Sequence, residues 1–179
     1  GLSGGISVFQ HHLCAELKNE INVLAPKLGN WESFDSKQEY TIFRQIMPTV
    51  PSGFMRNMKM RIWHIVYLVY TAVFQYSLYI INGCRIIIRE KIDVVLIGQL
   101  YLAPVVWFIQ LITKRPYVII LYGSELHRYW RFSLVRQLYL AWLNRAKFLL
   151  VISEFTRQQY LSRGVRGSQT FVLVSPGVD

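Results

Sequence analysis

Short apolar runs alternate with stretches of helical periodicity along the whole chain. Ile6, Phe9, Leu13 and Leu17 recur at helical spacing, which predicts a helix over 7–19. Residues 21–25 predict a short strand closed by Pro26. Residues 28–38 are polar, hold Gly29, Asn30 and Asp35, and predict a loop. Residues 40–46 alternate and predict a second strand, and two prolines and a glycine in 47–54 predict another loop. A long helix is expected from about Met55 to Arg89.

The second half is more regular. Residues 93–97 predict a buried strand ended by Gly98, and 101–113 a helix. Residues 117–121 predict a fully apolar strand. A helix over 132–146 follows, with Leu134, Leu138, Leu140 and Ala141 inside. A strand over 148–152 leads to Ser153, a good N-cap for a helix that stops near Arg163 and Gly164. Residues 170–174 predict the last strand. Strands that are continuously apolar, alternating with helices, indicate a parallel sheet buried on both faces. The fold class is therefore α/β, a Rossmann-like parallel sheet with helices on both faces. Ligands of such sheets sit at the carboxyl ends of strands, near a switch point in strand order. Gly98 and Gln99, Tyr122 to Glu125, Ser153 and Glu154, and Ser175 to Gly177 all follow strands.

Composition narrows the class. A chain of 179 residues, 53% hydrophobic and 17% charged, is long enough for one domain with a full core and excludes a disordered chain. Lys and Arg number 20 against 10 Asp and Glu, a formal net charge of +10. Such a surface attracts polyanions: nucleic acid, anionic lipid or nucleotide phosphates. No nucleic-acid motif accompanies the charge, so no nucleic-acid partner is expected. Cys14 and Cys84 give neither a disulfide framework nor zinc spacing, so a reduced, cytoplasmic chain with no metal is expected. Residues 62–81 carry no formal charge and have the length of a membrane span. Basic residues flank them on both sides, and His64, Gln75, Ser77 and four tyrosines dilute them. A helix packed on a sheet is favoured over a span. Trp63, Tyr67, Tyr70 and Phe74 beside basic residues also suit a helix lying in the lipid headgroup region.

The residues after the strands resemble family 4 glycosyltransferases, retaining enzymes of the GT-B fold. Gly4, Gly5 and Ile6, a helix, then Ile21 to Pro26 match that family's opening. Asp93 to Gly98 matches its middle strand, and Pro116 to Glu125 the strand leading to a His-Gly-x-Glu or His-Gly-x-Asp turn. Ala146 to Thr156 matches the next strand and its Ser; Gly164 and Val165, then Val172 to Asp179, match the passage into the second domain. Three departures stand out. The family's first strand and its whole C-terminal nucleotide-sugar domain are missing, and Tyr122 stands where the family most often has His. The resemblance implies one Rossmann-like, acceptor-side N-terminal domain over 1–179, cut at both ends from something larger and inactive alone.

The resemblance implies hexosyl transfer, with retention, from a nucleotide-sugar donor bound mostly by the missing domain. The acceptor would be a saccharide or a lipid-linked saccharide. No cofactor is implied. Expelling a diphosphate needs positioned donors for the developing charge. Gly4 and Gly5 at a helix N-terminus would offer backbone N–H groups to a phosphate; an ordinary tight turn is the alternative. Tyr122 and Glu125 are the candidate catalytic residues. Glu125 could accept from sugar hydroxyls, or cap the following turn. Gly98, Gly123, Ser124 and Ser153 are the other candidate substrate contacts, Ser153 also serving as an N-cap. His11, His12 and His127 are weaker candidates. Arg128, Arg131, Arg136 and Arg145 form either a basic patch for an anionic surface or a solvated helix face. The expected location is cytoplasmic, peripheral on the inner face of the membrane. Two other readings stay open: a non-catalytic interaction module or remnant of a split enzyme, and a membrane-embedded protein.

Overall fold

In the computed structural model the described residues are 5–27, 29–46, 61–125, 133–166 and 171–174. They group into two compact units, Gln10–Gly83 and Gly1–Phe9 with Cys84–Asp179. The elements are α1 (Gly5–Glu16), β1 (Asn22–Pro26), α2 (Trp31–Asp35), β2 (Thr41–Gln45), α3 (Arg61–Arg89) and β3 (Val95–Ile97). A 3-10 turn (Leu100–Leu102) comes next, then α4 (Ala103–Thr113), β4 (Tyr117–Leu121), α5 (Ser133–Leu143), β5 (Phe148–Val151), α6 (Glu154–Leu161) and β6 (Phe171–Leu173). The loop expected over 47–54 lies outside the described residues.

In the unit Gln10–Gly83, β1 and β2 pair in parallel, with Asn22 opposite Thr41 and Pro26 opposite Gln45. The Lys27 N–H donates to the Gln45 carbonyl at 2.8 Å, prolonging the ladder past Pro26. The loop expected over 28–38 contains α2 instead. Its polar composition hides two aromatics, Trp31 and Phe34, at helical spacing. The Arg44 guanidinium lies 6.0 Å from the ring centres of both. Arg44 also donates to both carboxylate oxygens of Asp35, at 2.9 and 2.5 Å, and to the Pro26 carbonyl at 2.8 Å. That bidentate contact holds the Asp35 carboxyl below its ordinary range. One side chain thus ties α2 to the end of β1.

In the other unit, β3, β4, β5 and β6 form a four-stranded ladder, parallel throughout, with α4, α5 and α6 as the crossovers. Every residue of β4 is buried, as expected for a strand covered on both faces. Ile119, Leu121, Leu149 and Val151 pack with Leu143, Val106 and Tyr160 into one core. The buried Tyr117 hydroxyl donates to the Trp142 carbonyl, and burial pushes its phenol up to about 12 against the opposing charge of Arg145. The chain therefore has the expected α/β class, with parallel sheets and crossover helices. The strands form two ladders rather than one continuous sheet among the described residues. In the four-stranded ladder, strand order follows chain order, so the expected switch point is not within it.

The helix α3 buries Tyr79 and Ile87 and turns Tyr70, Val73 and Ile81 outward. No helix among the described residues is long and apolar enough to cross a membrane, which tells against a span at 62–81.

Candidate functional site

Two neighbouring strands, β4 and β5, end side by side, Leu121 opposite Val151. The segments that leave these two ends pack against each other. After β4 the chain turns through Tyr122, Gly123, Ser124 and Glu125; after β5 it enters α6 through Ser153.

Ser153 is the N-cap of α6. Its backbone is extended, and its Oγ accepts from the Thr156 N–H at 3.1 Å. The same Oγ lies 2.9 Å from the Thr156 hydroxyl. Both bonds hold Thr156, which is 4% exposed, against the β4 turn. Gly123 is what admits it. Gly123 has φ +90°, and a Cβ there would lie 3.3 Å from Thr156 Oγ1. A left-handed backbone and a close neighbour both call for glycine at this position.

Glu125 closes the turn. Its Oε1 accepts from the Tyr122 N–H at 3.4 Å, a bond back across the turn; the following turn, which it was expected to cap, lies outside the described residues. Its Oε2 is buried and has no hydrogen-bond partner among the described residues. A buried carboxylate oxygen left without a donor is costly. Tyr160, one turn beyond Thr156 on α6, is fully buried. Burial first, and then the nearby Glu125 charge, push its phenol far above the ordinary range, with Arg163 opposing. The Tyr122 ring meets Phe9 of α1 edge-on at 6.2 Å.

The structure thus brings Tyr122, Gly123, Glu125 and Ser153 together, and adds Phe9, Thr156 and Tyr160. Tyr160 was not anticipated. The spacing 153, 156, 160 carries the signal, since those positions share one helix face. Gly98 follows β3, one strand away, with Ile97 opposite Ile119 of β4. Ser124 is exposed in the turn. Gly5 opens α1; Gly4, His127, Arg128, Arg131 and the end of the chain from 175 to 179 lie outside the described residues.

Other candidates have other surroundings. His11 Nδ1 lies 3.4 Å from the Tyr40 hydroxyl, and its ring meets Phe34. His12 is exposed. Arg136 and Arg145 are exposed, and Arg145 stacks over Trp107 at 5.9 Å. Cys14 and Cys84 are free and half-buried, and burial pushes both thiols up, away from the reactive thiolate. Among the described residues no group of His, Cys, Asp and Glu could hold a metal ion.

Chemically, the turn places a buried carboxyl oxygen, Glu125 Oε2, with no hydrogen-bond partner among the described residues, at the carboxyl end of a buried parallel strand.

Comparison with protein-family models and with curated protein sequences gives no match. Among solved structures, the chain is similar to Anabaena Alr3699/HepE in complex with UDP and glucose, at TM-score 0.67. HepE in complex with UDP-glucose and with UDP both match at TM-score 0.68. Identity is 13% in all three cases, so the likeness is one of fold. It covers 98% of this chain, which spans about 42% of the length of the HepE chain.

Proposed function

We propose that this chain forms the acceptor-side half of a glycosyltransferase cleft, in an enzyme of the GT-B fold and of family 4. The observation that supports it most is the fold likeness over 98% of the chain to HepE, a protein crystallised with UDP-glucose. A second domain would bind most of the nucleotide-sugar donor. The acceptor would be a saccharide, free or lipid-linked, and the hexose would be transferred with retention. A cytoplasmic setting, peripheral on the inner face of the membrane, suits such an acceptor.

In this reading each part of the site has a task. The N–H groups of Gly4 and of Gly5, which opens α1, are assigned to stabilising charge that develops on the departing diphosphate. The Glu125 carboxylate accepts a hydrogen bond from a sugar hydroxyl; its Oε2 has no partner among the described residues. Tyr122 offers a phenol where the resemblance would place an imidazole. A phenol ionises near pH 10 in ordinary surroundings, roughly, so this group orients substrate rather than removing a proton. Gly98, Gly123, Ser124 and Ser153 shape the floor of the cleft, Ser153 through the cap it forms.

The test is to incubate the protein, with its second domain attached, with UDP-glucose and saccharide acceptors, following UDP release and the anomeric configuration of the product. Release of UDP with a product of retained configuration is expected. No turnover with any nucleotide sugar, or inversion, contradicts the reading. The chain without a second domain is expected to release no UDP.

A further inference from the structure

We infer that the segment leaving β1 is a subsite for an anionic saccharide, in which Trp31 stacks on the sugar ring and Lys27 pairs with its carboxylate or phosphate. It rests on the acceptor-side reading above, and names the chemical class of the acceptor.

Ligands of parallel sheets collect where the strands end. Lys27 follows Pro26, the last residue of β1, and its N–H donates to the carbonyl of Gln45, the last residue of β2, at 2.8 Å. That bond ties the backbone of Lys27 to the end of the ladder. Trp31, a few positions further on, is half-buried. Arg44, held by Asp35 and by the Pro26 carbonyl, lies 6.0 Å from the Trp31 ring centre. A guanidinium fixed in this way limits how the indole can turn.

The charge of Arg44 is already paired with Asp35. Glu32, the other carboxylate of α2, forms no ion pair among the described residues. Lys27 is exposed and likewise has no carboxylate partner among them; its Nζ lies over the Trp31 ring, 4.8 Å from the centre. An exposed cation–ring contact is weak, and a lysine stem turns freely. An ammonium gains more from a carboxylate or a phosphate than from a ring. A pyranose presents a face of C–H groups, which packs on a flat indole. A sugar that carries an anionic group therefore satisfies both side chains at once, whereas a neutral sugar satisfies only the ring. Lys147 also lies over a ring, that of Phe148 at 5.8 Å, but where β5 begins. Lys147 is thus a matched control at the opposite end of a strand.

The experiment is calorimetric titration of the intact protein with glucose, glucuronate, glucose 6-phosphate and inorganic phosphate. Glucuronate or glucose 6-phosphate should bind about tenfold or more tighter than glucose, an advantage that added salt reduces. The tighter of the two identifies the anionic group. Inorganic phosphate, with no ring to stack, should bind more weakly than the tighter sugar. Lys27→Met should abolish the preference for the anionic sugar, and Lys147→Met should keep it. Trp31→Leu should weaken the anionic sugars several-fold. Circular dichroism checks the fold of each variant, and Lys27→Met, at an exposed position, keeps the test open should Trp31→Leu unfold. No binding of either anionic sugar, glucose binding as tightly as both, or inorganic phosphate binding as tightly as the better sugar overturns the inference. So does a preference that survives Lys27→Met or is lost equally in Lys147→Met, or binding unchanged in a folded Trp31→Leu. Release of UDP is not read in these titrations, so their failure leaves the glycosyltransferase reading standing.

Discussion

At Gly123 two constraints meet in one residue. Its φ of +90° is open to glycine and strained for other residues, and Thr156 Oγ1 occupies the space a Cβ would approach to 3.3 Å. Gly123→Ala should therefore destabilise the unit by about 1–3 kcal/mol, read as a lower urea midpoint with an unchanged slope. The glycine could be read from sequence as the break after an apolar strand. Its tight neighbour could not, because Thr156 lies 33 positions away. Glu125 shows the same division. Its place after a buried strand was legible in the sequence; the bond from the Tyr122 N–H and the buried Tyr160 phenol nearby were not, since they depend on how the turn and α6 pack. Single residues announce their chemistry, and only the fold assigns their neighbours.

Elements in the second half were legible to within about three residues because buried parallel strands are uninterrupted apolar runs. β4 falls where expected, and Ser153 caps α6 as expected. Ser153→Ala removes both bonds to Thr156 and should lower stability by about 1 kcal/mol. In that background Thr156→Val should cost less than it does in the parent, a coupling that a double-mutant cycle by urea denaturation reads directly. The first half was harder. α2 looked like a loop because Glu32, Ser33 and Asp35 dominate its composition, while Trp31 and Phe34 are what anchor it under Arg44. The long helix was visible as a run of apolar residues. Its outward aromatics Tyr70 and Phe74 were legible too, while the outward aliphatics Val69, Val73 and Ile81 were not, since an aliphatic run gives no sign of which side faces the protein.

At the scale of the whole molecule, sequence periodicity reveals that strands and helices alternate, and so gives the α/β class. It does not reveal which strands pair. Among the described residues the strands form two parallel ladders, and the order β3-β4-β5-β6 contains no reversal. The likeness to HepE extends over nearly the whole chain at 13% identity, so backbone architecture is kept where side chains are not. Function must then be tested at the residues of this chain. The central claim is that the β4 turn lines a sugar-transfer cleft, with Glu125 contributing to substrate binding. The most direct measurement is kcat/KM for sugar transfer by the two-domain protein and its Glu125→Gln variant, with Glu154→Gln, an exposed carboxylate on α6, alongside. Glutamine keeps the acceptor for the Tyr122 N–H, so the melting temperature should hold. A fall in kcat/KM of about 10- to 100-fold for Glu125→Gln, with Glu154→Gln near the parent, is the result expected. Equal kcat/KM in all three proteins would contradict the account.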